Sequence, residues 1–433
     1  MEKERKKPKW CTARKKLQSG RRIQEGNITK TNLTPNKRSF SLVSVIFCAA
    51  FVVYVIQYDQ TDVHSVRRIL SEDVYPSTED PPEASTNSCI PRKNIVFLKT
   101  HKCASSSIQN IFNRFGYRRG LTFVLPAKGS YIGHPEPFNW SMVPDVRRFG
   151  LRYNILTHHC RLNYDEMRRN LPDDVLFITI VRNPVELYES LFSFYSLHRF
   201  YKERFDTLGK HQKPPGFYEK RMGGKIGFNQ MLFDLGMDDK VFSNSTAVME
   251  YVYFLDSIFD LVMVRERMDE SLVLLKELLC WDMDDVIIFH LNARNQRYKK
   301  KLSPDLYQRL VKFNSADMVL YKYFNHRLSE RINEYGRDKM AEAVDELKNR
   351  TRMWYDLCVQ KQDFQTKVIN SKRYFTNRMV MAYVKKKDVN TTCDDLTTQE
   401  PIFTEKLVYK QRYMFPRPKP YRSRYRYRMH RWH

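Results

Sequence analysis

The chain is poor in glycine, in closely spaced metal ligands and in internal repeats, and each absence excludes a class of protein. Only 14 of 433 residues are glycine, and the polar loop at residues 99–107 lacks the glycines and the Lys-Ser/Thr end of a Walker-type ATPase or kinase. No spacing of cysteine and histidine indicates a zinc site, and no carboxylate cluster indicates another metal. We therefore expect a protein that requires no metal and is not a repeat protein.

The net charge of +26 is concentrated at the two ends of the chain. Residues 1–38 contain 13 Lys or Arg and 3 Asp or Glu, and residues 409–433 contain 9 Lys or Arg and no acid. The 370 residues between them carry a net charge of only +7. We therefore expect no nucleic-acid partner. In the C-terminal tail arginine alternates with aromatic residues, which suits either an anionic polymer or a disordered, solvated segment.

Residues 39–58 contain no charged side chain, and a helix of that length spans a bilayer core. Because the basic segment precedes this run and Asp59 and Asp62 follow it, the positive-inside rule predicts a cytosolic N-terminus. A cleaved signal peptide would have a shorter apolar core and a small-residue cleavage site, and a buried core helix would have a polar face. We predict a transmembrane signal-anchor of type II, followed by a Pro-rich stem at residues 59–88.

This orientation places four glycosylation sequons and six of the eight cysteines in the lumen. An oxidising lumen permits disulfides, but the sequence alone does not assign the pairs. Cys103 is the lumenal cysteine that we expect to be unpaired. The sequons begin at Asn139, Asn244, Asn349 and Asn390.

Apolar runs that resemble strands alternate with helical stretches after residue 94. Strands are expected at residues 95–98, 153–157, 175–181 and 259–264, and helices at residues 184–199 and 269–279. This alternation is typical of a parallel α/β sheet flanked by helices. We expect one globular domain at residues 89–345 and, at residues 346–433, a C-terminal extension that is polar and irregular.

The first strand leads through a polar loop into a helix that carries three serines at its start, at residues 105–107, and a serine is expected to cap the helix because serine is a preferred N-cap. The residues with helical spacing are Ile108, Ile111, Phe112 and Phe115. A lysine and several hydroxyls at a helix N-terminus form an anion site, because the first-turn N–H groups are unpaired and the helix dipole is positive there. Residues 102–107 are therefore predicted to hold a phosphate or sulfate group; an ordinary strand–turn–helix is the alternative.

A second candidate anion-binding element follows the strand at residues 175–181. Arg182 stands at the strand end, Pro184 suits a first helical turn, and Ser190 lies about two helical turns after Arg182. Arginine binds phosphate through two N–H groups, and serine adds a hydroxyl. An arginine in a structural ion pair is the alternative. Two such elements at adjacent strand ends favour a ligand that is phosphorylated at two places.

These two elements resemble those of sulfotransferases that use 3′-phosphoadenosine 5′-phosphosulfate (PAPS). The run from Lys102 through Ser107 resembles their 5′-phosphosulfate loop, and Arg182 with Ser190 resembles their 3′-phosphate element. The resemblance is specific to the galactose-3-O-sulfotransferase family, which carries FLKTHK-x-ASS where this chain has FLKTHKCASSS. Similar blocks follow at residues 259–294, in the segment LSPDLYQRL and at residues 317–325. Cys103 departs from the family pattern, in which threonine is usual.

The resemblance implies a P-loop-like parallel sheet, PAPS as donor and a galactose-terminated glycolipid, such as galactosylceramide, or a glycoprotein glycan as acceptor. It also implies a Golgi membrane protein with a lumenal catalytic domain. Lys102 is expected to offset charge on the donor as the bond to sulfur breaks. Oligomeric state is not indicated. The residues that the resemblance places around the donor are Thr100, Lys102, Cys103, Ala104, Ser105, Ser106, Ser107, Arg182, Ser190, Arg294 and Arg297.

The attacking sugar hydroxyl needs a base, and histidine has a suitable pKa. His159 is our first candidate and His158 the second, because related glycan 2-O-sulfotransferases resemble this region and place a catalytic histidine there; a structural histidine is the alternative. His101 is a third candidate for the base, although we favour a role in supporting the loop. Residues 128–140 are aromatic and turn-rich enough to hold a sugar.

Two other functions remain open from the sequence. A glycosaminoglycan uronyl 2-O-sulfotransferase would use the basic tail to hold its polymer, although the block at residues 259–294 disfavours it. A membrane-anchored, non-catalytic glycan-binding protein would have a degenerate loop, which the presence of Lys102, Arg182 and Ser190 argues against.

Overall fold

A computed structural model describes residues 89–210, 218–221, 224–369 and 376–414. Among these residues no helix has the length and apolarity needed to cross a membrane. The predicted anchor at residues 39–58, the stem and the tail beyond residue 414 lie outside the described residues. The described strands are β1 (Ile95–Leu98), β2 (Phe123–Val124), β3 (Ile155–Leu156), β4 (Leu176–Val181), β5 (Tyr218–Arg221), β6 (Gly224–Ile226), β7 (Leu261–Val264), β8 (Val359–Phe364) and β9 (Met381–Lys385).

Five of these strands form one parallel sheet in the order β2-β3-β1-β4-β7. The central strand β1 pairs Ile95 with Ile155 of β3 on one side and with Leu176 of β4 on the other. All four residues of β1 are fully buried, as expected for a parallel sheet covered by helices on both faces. The predicted α/β class is confirmed.

Helices pack around this sheet and continue to the end of the described chain. The described helices are α1 (Ser105–Arg118), α2 (Tyr164–Arg168), α3 (Pro184–Phe194), α4 (Leu197–Tyr201), α5 (Gln230–Asp234), α6 (Ser245–Ile258), α7 (Met268–Leu279), α8 (Pro304–Phe313), α9 (Ser315–Tyr335), α10 (Arg337–Cys358), α11 (Gln365–Val368), α12 (Thr391–Thr397) and α13 (Glu400–Gln411).

The strands expected at residues 175–181 and 259–264 begin slightly later, at Leu176 and Leu261, and two other predicted elements differ more. The helix expected at residues 184–199 is divided into α3 and α4 because Ser196 adopts a left-handed conformation with φ of 53°. The strand expected at residues 153–157 pairs only over Ile155–Leu156. The short edge strand β2 was not predicted, since two residues carry too little periodicity to be recognised.

The prediction that the chain becomes irregular after residue 345 is wrong. The segment contains the end of α10, the hairpin of β8 and β9, and helices α12 and α13. Leu396, Phe403 and Leu407 belong to the same hydrophobic core as the sheet. The segment looked polar because these short elements bury few apolar residues each and are separated by charged turns.

Two disulfides connect distant parts of the fold. Cys89 pairs with Cys280, and Cys358 pairs with Cys393. Cys103 and Cys160 are buried free thiols, so the expectation that Cys103 is unpaired is confirmed. The four sequon asparagines are all exposed. Asn139, Asn244 and Asn390 each cap a helical segment through the side chain.

Candidate functional site

A cavity of about 670 Å³ opens beyond the carboxyl ends of β1 and β4, where ligands bind in open α/β sheets. Both predicted anion-binding elements contribute to its lining: Lys102 and Ser106 from the loop after β1, and Arg182 and Ser190 from the segment after β4. Arg294 lines it as well. Five Lys or Arg residues and one carboxylate are found in the lining, so the cavity is suited to an anionic ligand.

The loop between β1 and α1 is held in an unusual backbone conformation. Lys102 and Ala104 have φ of 56° and 63°, the left-handed region that side chains rarely adopt. Ala104 is the N-cap of α1, and no side chain in the described segments caps the helix. The helix therefore begins at Ser105 as predicted, but the expected serine cap is wrong. The first turn of α1 keeps the uncapped, positive end that favours an anion.

The serine hydroxyls at residues 105–107 bind protein groups instead. The Ser105 hydroxyl donates to the Thr100 carbonyl at 2.7 Å, and the Ser107 hydroxyl accepts from the Leu291 N–H at 3.0 Å. The Ser106 hydroxyl donates to Glu400 at 3.0 Å. All three serines line the cavity. Ser105 and Ser107 contact backbone groups, whereas Ser106 contacts the side chain of Glu400, which lines the cavity as well.

Two guanidinium groups present unpartnered N–H groups in this cavity. Arg182 donates to the Lys102 carbonyl at 2.9 Å and to Glu186 at 3.1 Å, and Arg294 is paired with Glu189. Arg182 Nε and Arg294 Nη1 are nevertheless buried without a hydrogen-bond partner among the described residues. A buried donor without an acceptor is unfavourable, so these groups favour binding of a ligand rich in acceptor oxygens.

Lys102 is surrounded by other cations. Its ammonium lies 3.8 Å from the centroid of the Phe194 ring. Desolvation, with added repulsion from Arg182 and Arg294, lowers the pKa of Lys102 to about 7. An anion bound beside Lys102 would favour the protonated form, so ligand binding and the charge of this lysine are linked.

His159 lines the cavity and has a defined tautomer. Its Nδ1 lies 3.0 Å from the Lys99 carbonyl, and because a carbonyl only accepts, Nδ1 carries the proton and Nε2 is left with its lone pair. Burial, with repulsion from Lys99, holds the pKa of His159 well below its usual value. A neutral imidazole with an open acceptor nitrogen is able to take a proton from a hydroxyl.

His101 is positioned by Asp234, a residue that sequence reasoning missed. The His101 backbone N–H donates to Asp234 at 2.7 Å, and its Nδ1 lies 2.8 Å from the same carboxylate. Its ring stacks on His159, with centroids 4.4 Å apart. Although burial opposes ionisation, His101 and His134 hold the pKa of Asp234 well below its usual value. Asp234 thus holds the loop in place, and no spacing in the sequence connects it to the loop.

The group formed by His101, His134 and Asp234 has the donor types of a metal site. Its ligand atoms lie within 4.8 Å of one another, and all three residues are buried. The contacts between His101 and Asp234 are hydrogen bonds at 2.7 and 2.8 Å. His101 and Asp234 therefore fix the loop through direct hydrogen bonds to each other.

Four predicted site residues are not in the cavity lining. The Thr100 hydroxyl donates to the Ile180 carbonyl at 2.6 Å, and the Cys103 thiol is buried 3.3 Å from the His101 carbonyl. His158 is fully buried, with Nε2 2.9 Å from the Thr404 hydroxyl. The exposed Arg297 stacks on Tyr298 and Phe364. The side chains of Thr100, Cys103 and His158 thus hydrogen-bond to protein groups, which corrects the expectations of a donor-binding Thr100 hydroxyl and a catalytic His158.

The C-terminal segment, which the sequence left without a role, forms one wall of the cavity. Its lining residues are Gln365, Asn377, Met379, Val380, Glu400 and Pro401. Glu400 forms a 2.5 Å ion pair with the buried Lys99. Although burial favours the neutral acid, Lys99 lowers the pKa of Glu400 below its ordinary value. From residues 128–140, the predicted sugar segment, Ser130 and Tyr131 line the cavity.

Comparison with known proteins identifies relatives over most of the chain. The family described as galactose-3-O-sulfotransferase matches residues 28–397. The chain is 34% identical over 346 residues to galactosylceramide sulfotransferase from Homo sapiens, covering 76% of this chain and 82% of that relative. The Bos taurus protein of the same name is 36% identical over 289 residues, with coverage of 64% and 68%. Galactose-3-O-sulfotransferase 4 from Homo sapiens is 30% identical over 410 residues, with coverage of 75% and 84%.

The disulfide between Cys358 and Cys393 should maintain the C-terminal wall. It closes the segment that carries Gln365, Asn377, Met379 and Val380. We expect Cys393→Ala to lower the free energy of unfolding by about 3 to 4 kcal/mol, measured by urea denaturation. If PAPS is the donor, as the motif resemblance implies, the variant should also bind its product, adenosine 3′,5′-bisphosphate, more weakly.

The matched control is Cys89→Ala, which removes the other disulfide. Neither of its cysteines lies in the wall segment, and Lys102 and Arg182 within its loop are also held by the pairing of β1 with β4, so stability should fall while the Kd for the bisphosphate changes less. Equal weakening of ligand binding by the two variants would contradict a specific role in the wall.

Proposed function

The chain belongs to the galactose-3-O-sulfotransferase family, and from this premise we propose that it transfers a sulfuryl group from PAPS to the 3-hydroxyl of a galactose. The resemblance found in the motifs is confirmed by the family match. The proposed acceptor is a galactose-terminated glycolipid, such as galactosylceramide, or a glycoprotein glycan. The names of the relatives support a galactose acceptor.

The observation that carries the proposal is the convergence of two anion-binding elements on one cavity. Lys102 and the uncapped start of α1 stand on one side, and Arg182 and Ser190 stand on the other. The donor carries phosphate groups at its 5′ and 3′ positions, which is the two-point charge pattern that this lining complements. The unpartnered N–H groups of Arg182 and Arg294 supply further donors.

The proposed reaction is an in-line displacement at sulfur. The acceptor oxygen forms a bond to sulfur while the bond from sulfur to the 5′-phosphate oxygen breaks, and adenosine 3′,5′-bisphosphate leaves. The protein supplies position and charge, as in phosphoryl transfer. Lys102 offsets the negative charge that develops on the leaving phosphate, and His159 Nε2 takes the proton of the attacking hydroxyl.

We also propose that the protein is a type II protein of the Golgi membrane, with residues 39–58 as its anchor and its catalytic domain in the lumen. The uncharged run and its flanking charges support this orientation. Two disulfides within the described residues and four exposed sequon asparagines suit an oxidising, glycosylating compartment.

A direct test uses the full chain in detergent micelles with radiolabelled PAPS and three acceptors: galactosylceramide, an N-acetyllactosamine glycan and heparan sulfate. Transfer to the galactose acceptors is expected. Transfer to heparan sulfate alone would favour the uronyl 2-O-sulfotransferase alternative. Donor binding without transfer to any acceptor would favour a non-catalytic glycan-binding protein.

Binding of adenosine 3′,5′-bisphosphate should weaken as pH rises from 7 to 9. Without the ligand, Lys102 loses its proton above its pKa of about 7. The bound anion keeps the lysine protonated, so ligand binding above this pH takes up a proton. Linkage then gives a decline that approaches about tenfold per pH unit, measurable by calorimetry.

Lys102→Arg is the matched control because a guanidinium stays charged across this range. Its affinity should change little between pH 7 and 9, whereas Lys102→Ala should abolish transfer at every pH. A wild-type pH profile as flat as that of Lys102→Arg would show that Lys102 does not titrate at the ligand.

His159→Ala should remove turnover and preserve donor binding. The imidazole is the proposed proton acceptor and contacts the protein through the Lys99 carbonyl. We expect a loss of at least about a hundredfold in kcat, with the Kd for adenosine 3′,5′-bisphosphate within about threefold of wild type. The matched control is His158→Ala, which lies outside the cavity lining. Normal turnover in His159→Ala would exclude His159 as the base.

A further inference from the structure

Glu400 is a carboxylate within a cavity whose other charged lining residues are cations. It stands in the first turn of α13, three residues beyond the last residue that the family matches. Its Oε2 accepts from Lys99 Nζ at 2.5 Å and from the Ser106 hydroxyl at 3.0 Å. These two contacts fix the orientation of the carboxylate.

The other oxygen, Oε1, has no hydrogen-bond partner among the described residues, although it is buried. An ionised oxygen that is desolvated without a donor is costly. The groups whose charges act on Glu400 are Lys99 and His158, and the hydrogen bonds described for Lys99 use Oε2 and Gln109. The arrangement therefore favours a ligand that brings a donor to Oε1.

PAPS and the galactose acceptor differ in their suitability as a hydrogen-bond donor to Oε1 of Glu400. The phosphosulfate end of the donor presents acceptor oxygens and negative charge, which the carboxylate repels. A galactose is uncharged and presents several hydroxyl donors. Lys99 also connects the two sides of this region: its ammonium holds Glu400, and its carbonyl accepts from Nδ1 of His159. The carboxylate and the proposed base are thus fixed by one residue.

We propose that Glu400 is an acceptor-binding residue, whose Oε1 accepts a hydrogen bond from a hydroxyl of the galactose. This inference rests on the proposed function, because it concerns the acceptor of the same reaction. The geometry assigns the C-terminal helix α13 a direct part in acceptor recognition. Ser106 and Lys99 hold the carboxylate while the rest of the loop binds the donor.

Glu400→Gln tests this role while preserving the size of the side chain. The Lys99 ammonium and the Ser106 hydroxyl both donate, so the amide oxygen must face them. The amide NH₂ then stands at the place of Oε1, where it cannot accept. In the full chain in micelles at saturating PAPS, the acceptor KM should rise roughly 10- to 100-fold. The Kd for adenosine 3′,5′-bisphosphate should be unchanged or lower.

Glu405→Gln, on the same helix but outside the cavity lining, is the matched control and should leave the acceptor KM unchanged. An acceptor KM within twofold of wild type in Glu400→Gln would overturn the inference. Lower stability or weaker bisphosphate binding, with acceptor KM unchanged, would mean that Glu400 only neutralises Lys99.

A second measurement separates this inference from the proposed function. A soluble β-galactoside glycan is titrated by calorimetry into protein saturated with adenosine 3′,5′-bisphosphate, so no turnover is needed. Binding by the wild-type chain and its loss in Glu400→Gln support the inference. Absence of binding by the wild type, or equal binding by the variant, overturns it. Failure of the proposed function instead appears as absent transfer from PAPS to every galactose acceptor.

Discussion

The parallel pairing of β1 with β4 is the constraint on which the site depends. Leu98 lies opposite Thr179 in the register, and the two strand ends are joined by threonine hydroxyls. Thr179 donates to the Leu98 carbonyl at 2.8 Å, and Thr100 donates to the Ile180 carbonyl at 2.6 Å. Because both strands end at the same edge, the loops that follow them meet, and Arg182 donates to the Lys102 carbonyl.

The site concentrates positive charge that the protein itself only partly compensates. Glu186 and Glu189 contact Arg182 and Arg294, yet each guanidinium keeps a buried N–H group that has no partner within the described part of the chain. Such an arrangement lowers the stability of the fold. In the proposed function the phosphate oxygens of PAPS would accept from these N–H groups, so the same groups that destabilise the fold would contribute to affinity for the donor.

The sequence alone was sufficient to predict the elements that have strong periodicity or a specific motif. The strand at Ile95–Leu98 and the helix from Ser105 follow from an apolar run and an i, i+3, i+4 pattern. The convergence of Lys102 and Arg182 follows from parallel topology. Asp234 and Glu400 were not predictable in this way, because each reaches the loop through tertiary contacts across more than a hundred residues.

Local composition also led to some wrong predictions. The serines at residues 105–107 looked like helix caps, but Ala104, which has no side-chain acceptor, occupies the N-cap position, and the three hydroxyls bind other protein groups. Thr100 and His158 have the right chemistry and the right position in the chain, but their side chains are buried and hydrogen-bond to the Ile180 carbonyl and the Thr404 hydroxyl. One-dimensional patterns identify the segment, whereas the direction of each side chain depends on packing that only the complete fold defines.

The contact between Ser106 and Glu400 joins residues 294 positions apart. Protein synthesis proceeds from the N-terminus, so the loop after β1 emerges long before α13 exists. A nascent chain that already contains the sheet still lacks one wall of the cavity. The cavity is therefore completed only after α13 has been translated, and termination before residue 400 would yield a chain with an intact loop after β1 and an incomplete cavity.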